Sequence, residues 1–94
     1  MYIVNITYKV PLEKVDQHLE SHIAFLNRQY ELGTFLASGR KVPRTGGIIL
    51  AKGEDRYALL KVLEMDPFKS NGLADYEVIE FVPSKTARGL ESLL

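Results

Sequence analysis

The sequence predicts an α+β fold of the ferredoxin-like kind, βαββαβ, with a four-stranded, mostly antiparallel sheet and two helices on one face. Three observations predict it. The chain opens and closes on short runs rich in β-branched and aromatic residues, at 2–8 and 76–82. Two stretches with helical apolar spacing separate these runs from a central pair of short strands. Ninety-four residues suffice for one hydrophobic core and no second, so residues 1–94 form a single domain.

Each element follows from local signals. Residues 2–8 are bounded by Lys9-Val10-Pro11 and read as the first strand. Pro11 suits the first turn of a helix, and Leu12, Val15, Leu19, Ile23, Leu26 and Tyr30 recur at helical spacing. Gly33 supplies the stop, so one helix of about six turns is expected. Residues 34–37 read as a short strand, 38–47 as a loop containing Pro43, and 48–52 as the strand that pairs back. Residues 54–65, with Tyr57, Ala58, Leu60 and Leu63 among good helix formers, predict the second helix, and 66–72 a capped turn. Residues 76–82 close the sheet, and 84–94, with Leu90, Leu93 and Leu94, predict a short terminal helix.

Composition removes several classes of function. Twelve basic and twelve acidic side chains leave a formal charge of zero, which argues against a nucleic-acid binder that works by broad phosphate attraction. The absence of cysteine excludes disulfide frameworks, thiolate metal sites and cysteine nucleophiles together. Neither a signal peptide nor a membrane span is legible, so a cytoplasmic protein with no membrane partner is expected. No phosphate-loop or dinucleotide glycine pattern is present, and no cofactor is expected.

The strands carry large apolar groups on both faces. In the first, Tyr2, Val4, Ile6 and Tyr8 share one face and Ile3 takes the other; in the last, Tyr76, Val78 and Val82 oppose Ile79 and Phe81. A sheet face of this kind is rarely left wet, which predicts a homodimer through the face opposite the helices.

Two residues are chemically richer than their positions require. On a helical projection the apolar positions of the first helix centre near Leu19, and His22 lies about 60° from that centre, on the rim of the buried face. His18 lies roughly 100° away, on the flank. Together they have the i, i+4 spacing of a metal-binding pair, but Leu19-Glu20-Ser21 does not reproduce a zinc-protease helix and no third ligand stands at a recognisable spacing; no metal is expected. His22 has a structural alternative as a partly buried histidine bonded to a carbonyl. Asp66 has one as the N-cap of a turn that Pro67 starts, accepting from the amide of Phe68 or Lys69. A carboxylate held in that way is also rigid enough to orient a histidine, which makes the pair a candidate acid–base unit. Phe68 is either a core plug or one wall of a pocket.

Between these sites no acidic residue occurs from 32 to 53, while Arg40, Lys41, Arg44 and Lys52 do. Ser38-Gly39 amides with Arg40 and Arg44 suit a carboxylate or phosphate, and a solvated hairpin loop is the alternative.

Taken in order, His22-Ile23-Ala24-Phe25-Leu26, Gly33-Thr34-Phe35-Leu36-Ala37-Ser38-Gly39, Gly47-Ile48-Ile49-Leu50 and Asp66-Pro67-Phe68 resemble the YciI-like, or YCII-related, family. The resemblance implies a dimeric α+β barrel of ferredoxin-like subunits with an active site around the residues matching His22 and Asp66. It also implies proton transfer or elimination, of lyase or isomerase type, on a small anionic ring compound, lactones included. Many members follow Ser-Gly or Ala-Gly with proline, where this chain has Arg40, a candidate specificity residue. The competing expectation is a non-catalytic dimeric module that binds a metabolite in the same pocket. In a ferredoxin-like unit Asp66 follows the second helix, so it meets mid-helix His22 only if the 66–72 turn folds back.

Overall fold

A computed structural model describes residues 1–94. Its elements in chain order are β1 (Tyr2–Tyr8), α1 (Leu12–Asp16), α2 (Leu19–Glu31), β2 (Phe35–Arg40), β3 (Gly46–Ala51), α3 (Arg56–Leu63), α4 (Pro67–Ser70) and β4 (Ala74–Glu80), followed by a 3-10 turn at Glu91–Leu93. The strands form one sheet in the order β2-β3-β1-β4, and every neighbouring pair is antiparallel. This is the ferredoxin-like topology that the order of elements predicts.

Alternation along β1 divides the molecule. Tyr2, Val4 and Ile6 are buried and pack with Phe35, Ile49, Leu59, Leu63 and Val78 into the main core beneath the helices. Val4 and Leu63 are fully enclosed, and each such side chain contributes about 1.5–3 kcal/mol by leaving water. A satellite cluster of Val15, Phe68 and Leu73 lies at the Tyr8 end of β1. On the other face Ile3 pairs across the sheet with Leu50 and Ile79, and Asn5 with Ile48 and Glu77. Ile48 and Ile79 are exposed there. No helix is long and apolar enough to cross a membrane.

The expected six-turn helix is broken. α1 ends at Asp16, and His18, with φ −112° and ψ 8°, caps α2 instead of continuing the first helix. The Ser21 hydroxyl donates to the His18 carbonyl at 3.0 Å, alongside the His22 amide, and such back-bonding bends helices. β2 runs on to Arg40 and β3 begins at Gly46, so half of the expected 38–47 loop is strand. The terminal helix is reduced to the Glu91–Leu93 turn, flanked by exposed Leu90 and Leu94.

The close approach of β3 to β1 depends on Gly46. A Cβ there would stand 1.8 Å from the Ile6 carbonyl oxygen, so no side chain fits without moving the strands apart.

Candidate functional site

The site is assembled by the turn after α3. Asp66 is extended (φ −69°, ψ 123°) and caps α4, and Pro67 occupies the first turn, where a missing amide hydrogen is harmless. The Phe68 amide donates to Asp66 Oδ1 at 3.0 Å, while the Lys69 and Ser70 amides donate to the Asp66 carbonyl, each at 2.9 Å. One residue thus closes the turn with both its side chain and its backbone. The turn folds back under α2, and His22 Nδ1 lies 2.7 Å from Asp66 Oδ1. Asp66 is 0 % exposed and His22 9 %.

A third group completes the arrangement: the Tyr76 hydroxyl on β4 donates to Asp66 Oδ2 at 2.5 Å. Both carboxylate oxygens therefore accept, and the partner nitrogen of His22 carries the proton. No hydrogen bond within the chain reaches Nε2. Phe68 lies flat against the imidazole, with ring centroids 3.8 Å apart and planes 5° from parallel, and Tyr8 meets Phe68 edge-on at 5.8 Å. The stack fixes the imidazole plane.

His22 borders a cavity of about 390 Å³ between α2 and the strands β1, β3 and β2. Ile6 and Ile49 form its floor, and Leu19, Ile23 and Leu26 form the α2 wall. Ser38, Gly39, Arg40, Arg44 and Phe68 also line it, so of the candidate residues only Asp66 lies behind the wall. The apolar stripe of α2 thus faces this cavity as much as the core, which is why its centre misplaces His22. Polar His22 and Gln29 take the core-facing positions, and His22 is buried, not at a rim.

A family model described as the YCII-related domain matches residues 1–82. The chain belongs to the YCII-related family. No curated protein sequence matches it. Among solved structures, this YCII-related chain is similar to 5-chloro-2-hydroxyhydroquinone dehydrochlorinase (TftG) from Burkholderia phenoliruptrix AC1100 in complex with 2,5-dihydroxybenzoquinone. The TM-score is 0.72 at 18% identity, over 86% of this chain and 93% of the other. At that identity the likeness is one of fold.

The two arginines of this YCII-related site are not equivalent. Arg44 Nη2 donates to Asp16 Oδ1 at 2.6 Å, joining the end of α1 to the β2–β3 turn, and its guanidinium carbon lies 6.0 Å from the Tyr8 ring centre. The hydrogen bond to Arg44 holds the Asp16 carboxyl below its usual range, and the same bond raises Arg44. Arg40 makes no ion pair. Ser38 is tied by its hydroxyl to Tyr30 at 2.5 Å, while Gly39 has open space where a Cβ would be.

Sequence reasoning missed Tyr76 and Tyr8. Tyr76 reads as one more inward aromatic of a strand. Its signal would have been its place on the same face as Tyr8, next to the strand start that follows Asp66-Pro67-Phe68. Burial, then the charge of Asp66 and the hydrogen bond to it, push the Tyr76 phenol far above its usual range, so it remains a donor.

Proposed function

We propose that this YCII-related protein is a small-molecule enzyme of the lyase or isomerase type, with His22 as its acid–base group. The observation that carries the reading is the 2.7 Å contact between His22 Nδ1 and wholly buried Asp66, beside a cavity that His22 lines. With Nδ1 committed, Nε2 is the nitrogen free to meet a ligand. It takes a proton from a ring carbon or hydroxyl, and the carboxylate orients the ring and offsets the charge that forms. In an isomerisation the proton returns at another position. In an elimination the electron pair left on the substrate expels a leaving group as an anion. Such proton transfer supplies about 10²- to 10⁴-fold in rate.

The cavity supports a small ring compound carrying one negative charge. Its walls are largely apolar, Arg44 is already matched by Asp16, and Arg40 is the arginine left to meet the anion. Ser38 and Gly39 border the same end, and Phe68 is the wall beside His22. The similar structure, a dehydrochlorinase in complex with a dihydroxybenzoquinone, supports including halogenated hydroquinones among the compounds assayed, and the family resemblance adds lactone acids. The protein as purified is examined by native mass spectrometry for a retained small molecule, and the panel is assayed for turnover with wild type and His22→Ala. Loss of turnover in His22→Ala is expected. Undiminished turnover refutes the role of His22, and tight retention of a ligand with no turnover by the wild type makes the protein a binding module.

The reading includes a homodimer through the sheet face away from the helices. The row Leu50–Ile3–Ile79 and neighbouring Ile48 support it, because a monomer gains nothing by wetting them. Light scattering at micromolar concentration is expected to give twice the chain mass; the mass of one chain sinks the dimer.

A further inference from the structure

We propose that Tyr76 is a positioning residue that sets the protonation of His22 through Asp66, without touching the cavity ligand. The inference deepens the His22–Asp66 reading and rests on it. Tyr76 projects from β4 towards the helix side of the sheet, and its hydroxyl reaches the carboxylate oxygen that His22 does not use. Oδ1 is shared by the His22 ring and the Phe68 amide, and Oδ2 is held by Tyr76 alone. Tyr76 therefore fixes the carboxylate against rotation about its last bond and aims Oδ1 at the imidazole.

The hydroxyl also withdraws charge. A carboxylate that accepts an additional hydrogen bond is a weaker base, so it holds the imidazolium less strongly than a carboxylate with one oxygen bare. The groups around Tyr76 are consistent with a donor that never ionises. Asp66 lies at its hydroxyl, Lys69 of α4 stands over its ring with Nζ 5.3 Å from the centre, and Tyr8 of β1 lies nearby. The Lys69 ammonium sits over the ring, while His22 meets the far side of the Asp66 carboxylate. Tyr76 is absent from the cavity lining, so it does not meet a ligand there. It packs against the cluster of Phe68, which stacks on His22, and Asp66 is the hydrogen-bonded link between Tyr76 and His22.

The test needs no substrate. The protonation of both histidines is followed against pH by imidazole nitrogen NMR in wild type, Tyr76→Phe and Asp66→Asn, with His18, half-buried at the head of the same helix, as internal reference. Tyr76→Phe is expected to move the His22 midpoint upward by about half to one pH unit, with His18 unmoved. Site-specific replacement of Tyr76 by 3-fluorotyrosine, a more acidic phenol of nearly the same shape, is expected to move His22 downward. That opposite sign separates the hydrogen bond from packing, and it serves alone if Tyr76→Phe does not fold. A His22 midpoint that follows His18 in both variants overturns the role of Tyr76, as does a downward move in Tyr76→Phe. If Asp66→Asn shifts His22 but neither Tyr76 replacement does, this inference fails and the His22–Asp66 pair stands. If none of the three shifts it, the pair fails too.

Discussion

Replacing Asp66 by alanine strips the acceptor from three donors at once: the His22 ring, the Phe68 amide and the Tyr76 hydroxyl. The carboxylate is fully enclosed, so the abandoned groups face the space it filled and not bulk solvent. Breaking a buried, hydrogen-bonded charge by removing one partner costs about 3–5 kcal/mol. Loss of the α4 cap is worth about 1 kcal/mol on its own, and it overlaps because Oδ1 serves both the cap and His22. The net expectation is a loss of about 4 kcal/mol. A domain of this size holds about 5–15 kcal/mol in all. The melting temperature should therefore fall by roughly 15–30 °C. Asp66→Asn keeps the shape and one acceptor oxygen but sets its amide hydrogens against a donor, and should cost about half as much, roughly 2 kcal/mol. Urea unfolding followed by circular dichroism measures both. With His22→Ala and the double variant it also yields a coupling energy, expected at about 1.5–3 kcal/mol for a charge-assisted bond. A loss of under about 1 kcal/mol for Asp66→Ala, the range of a simple cap, would falsify the reasoning.

Three further expectations rest on other parts of the fold. The raised phenol of Tyr76 gives stability that is fully present below about pH 10, where an unfolded tyrosine begins to ionise, and is lost as pH rises beyond it. Tyr76→Phe should flatten the fall of the urea midpoint in alkali, and an unchanged slope contradicts the assignment. Arg44→Met should return the Asp16 carboxyl upward towards its ordinary range in a carbon NMR titration. The sign for stability is that of a depressed carboxyl: the increment is present above its unfolded value and lost as acid protonates it. An Asp16 titration unmoved by Arg44→Met excludes the pair in solution. Gly46→Ala forces a methyl group onto the Ile6 carbonyl and should cost about 1–3 kcal/mol in urea unfolding; an unaffected midpoint means that the β1–β3 approach is looser than described.

Strand alternation and turn residues carried most of the fold. Tyr2, Val4 and Ile6 announce their face two residues at a time, and Asp66-Pro67 announces a capped turn that forms with its carboxylate on the Phe68 amide. The placement of His22 failed on the assumption that an apolar stripe on a helix faces only a core. In α2 the stripe also lines a cavity, so Ile23 is partly exposed while His22 and Gln29 are buried. The break at His18 was equally hidden, because no glycine or proline marks it. Within the site, His22, Asp66 and Phe68 were legible because each combines a chemical type with an unusual position. Tyr76 was not, because a tyrosine in a strand needs no explanation, and only the turn that brings Asp66 to it gives the hydroxyl a partner. The different fates of Arg40 and Arg44 were also beyond reach, since Asp16 meets Arg44 from 28 residues away in sequence.

The divided stripe of α2 has a thermodynamic consequence. Leu19, Ile23 and Leu26 on one side, and Ile6 and Ile49 on the other, line one apolar space continuous with the protein's own packing. An apolar molecule of the right size that enters that space acts as the missing side chain of the protein's own interior. Occupancy and folding are then one linked equilibrium, and a ligand present at a hundred times its dissociation constant adds about 2.7 kcal/mol to the folded state. Heat resistance becomes a reporter of what the cavity accepts, so a library of small ring acids can be ranked by melting temperature before any reaction is known.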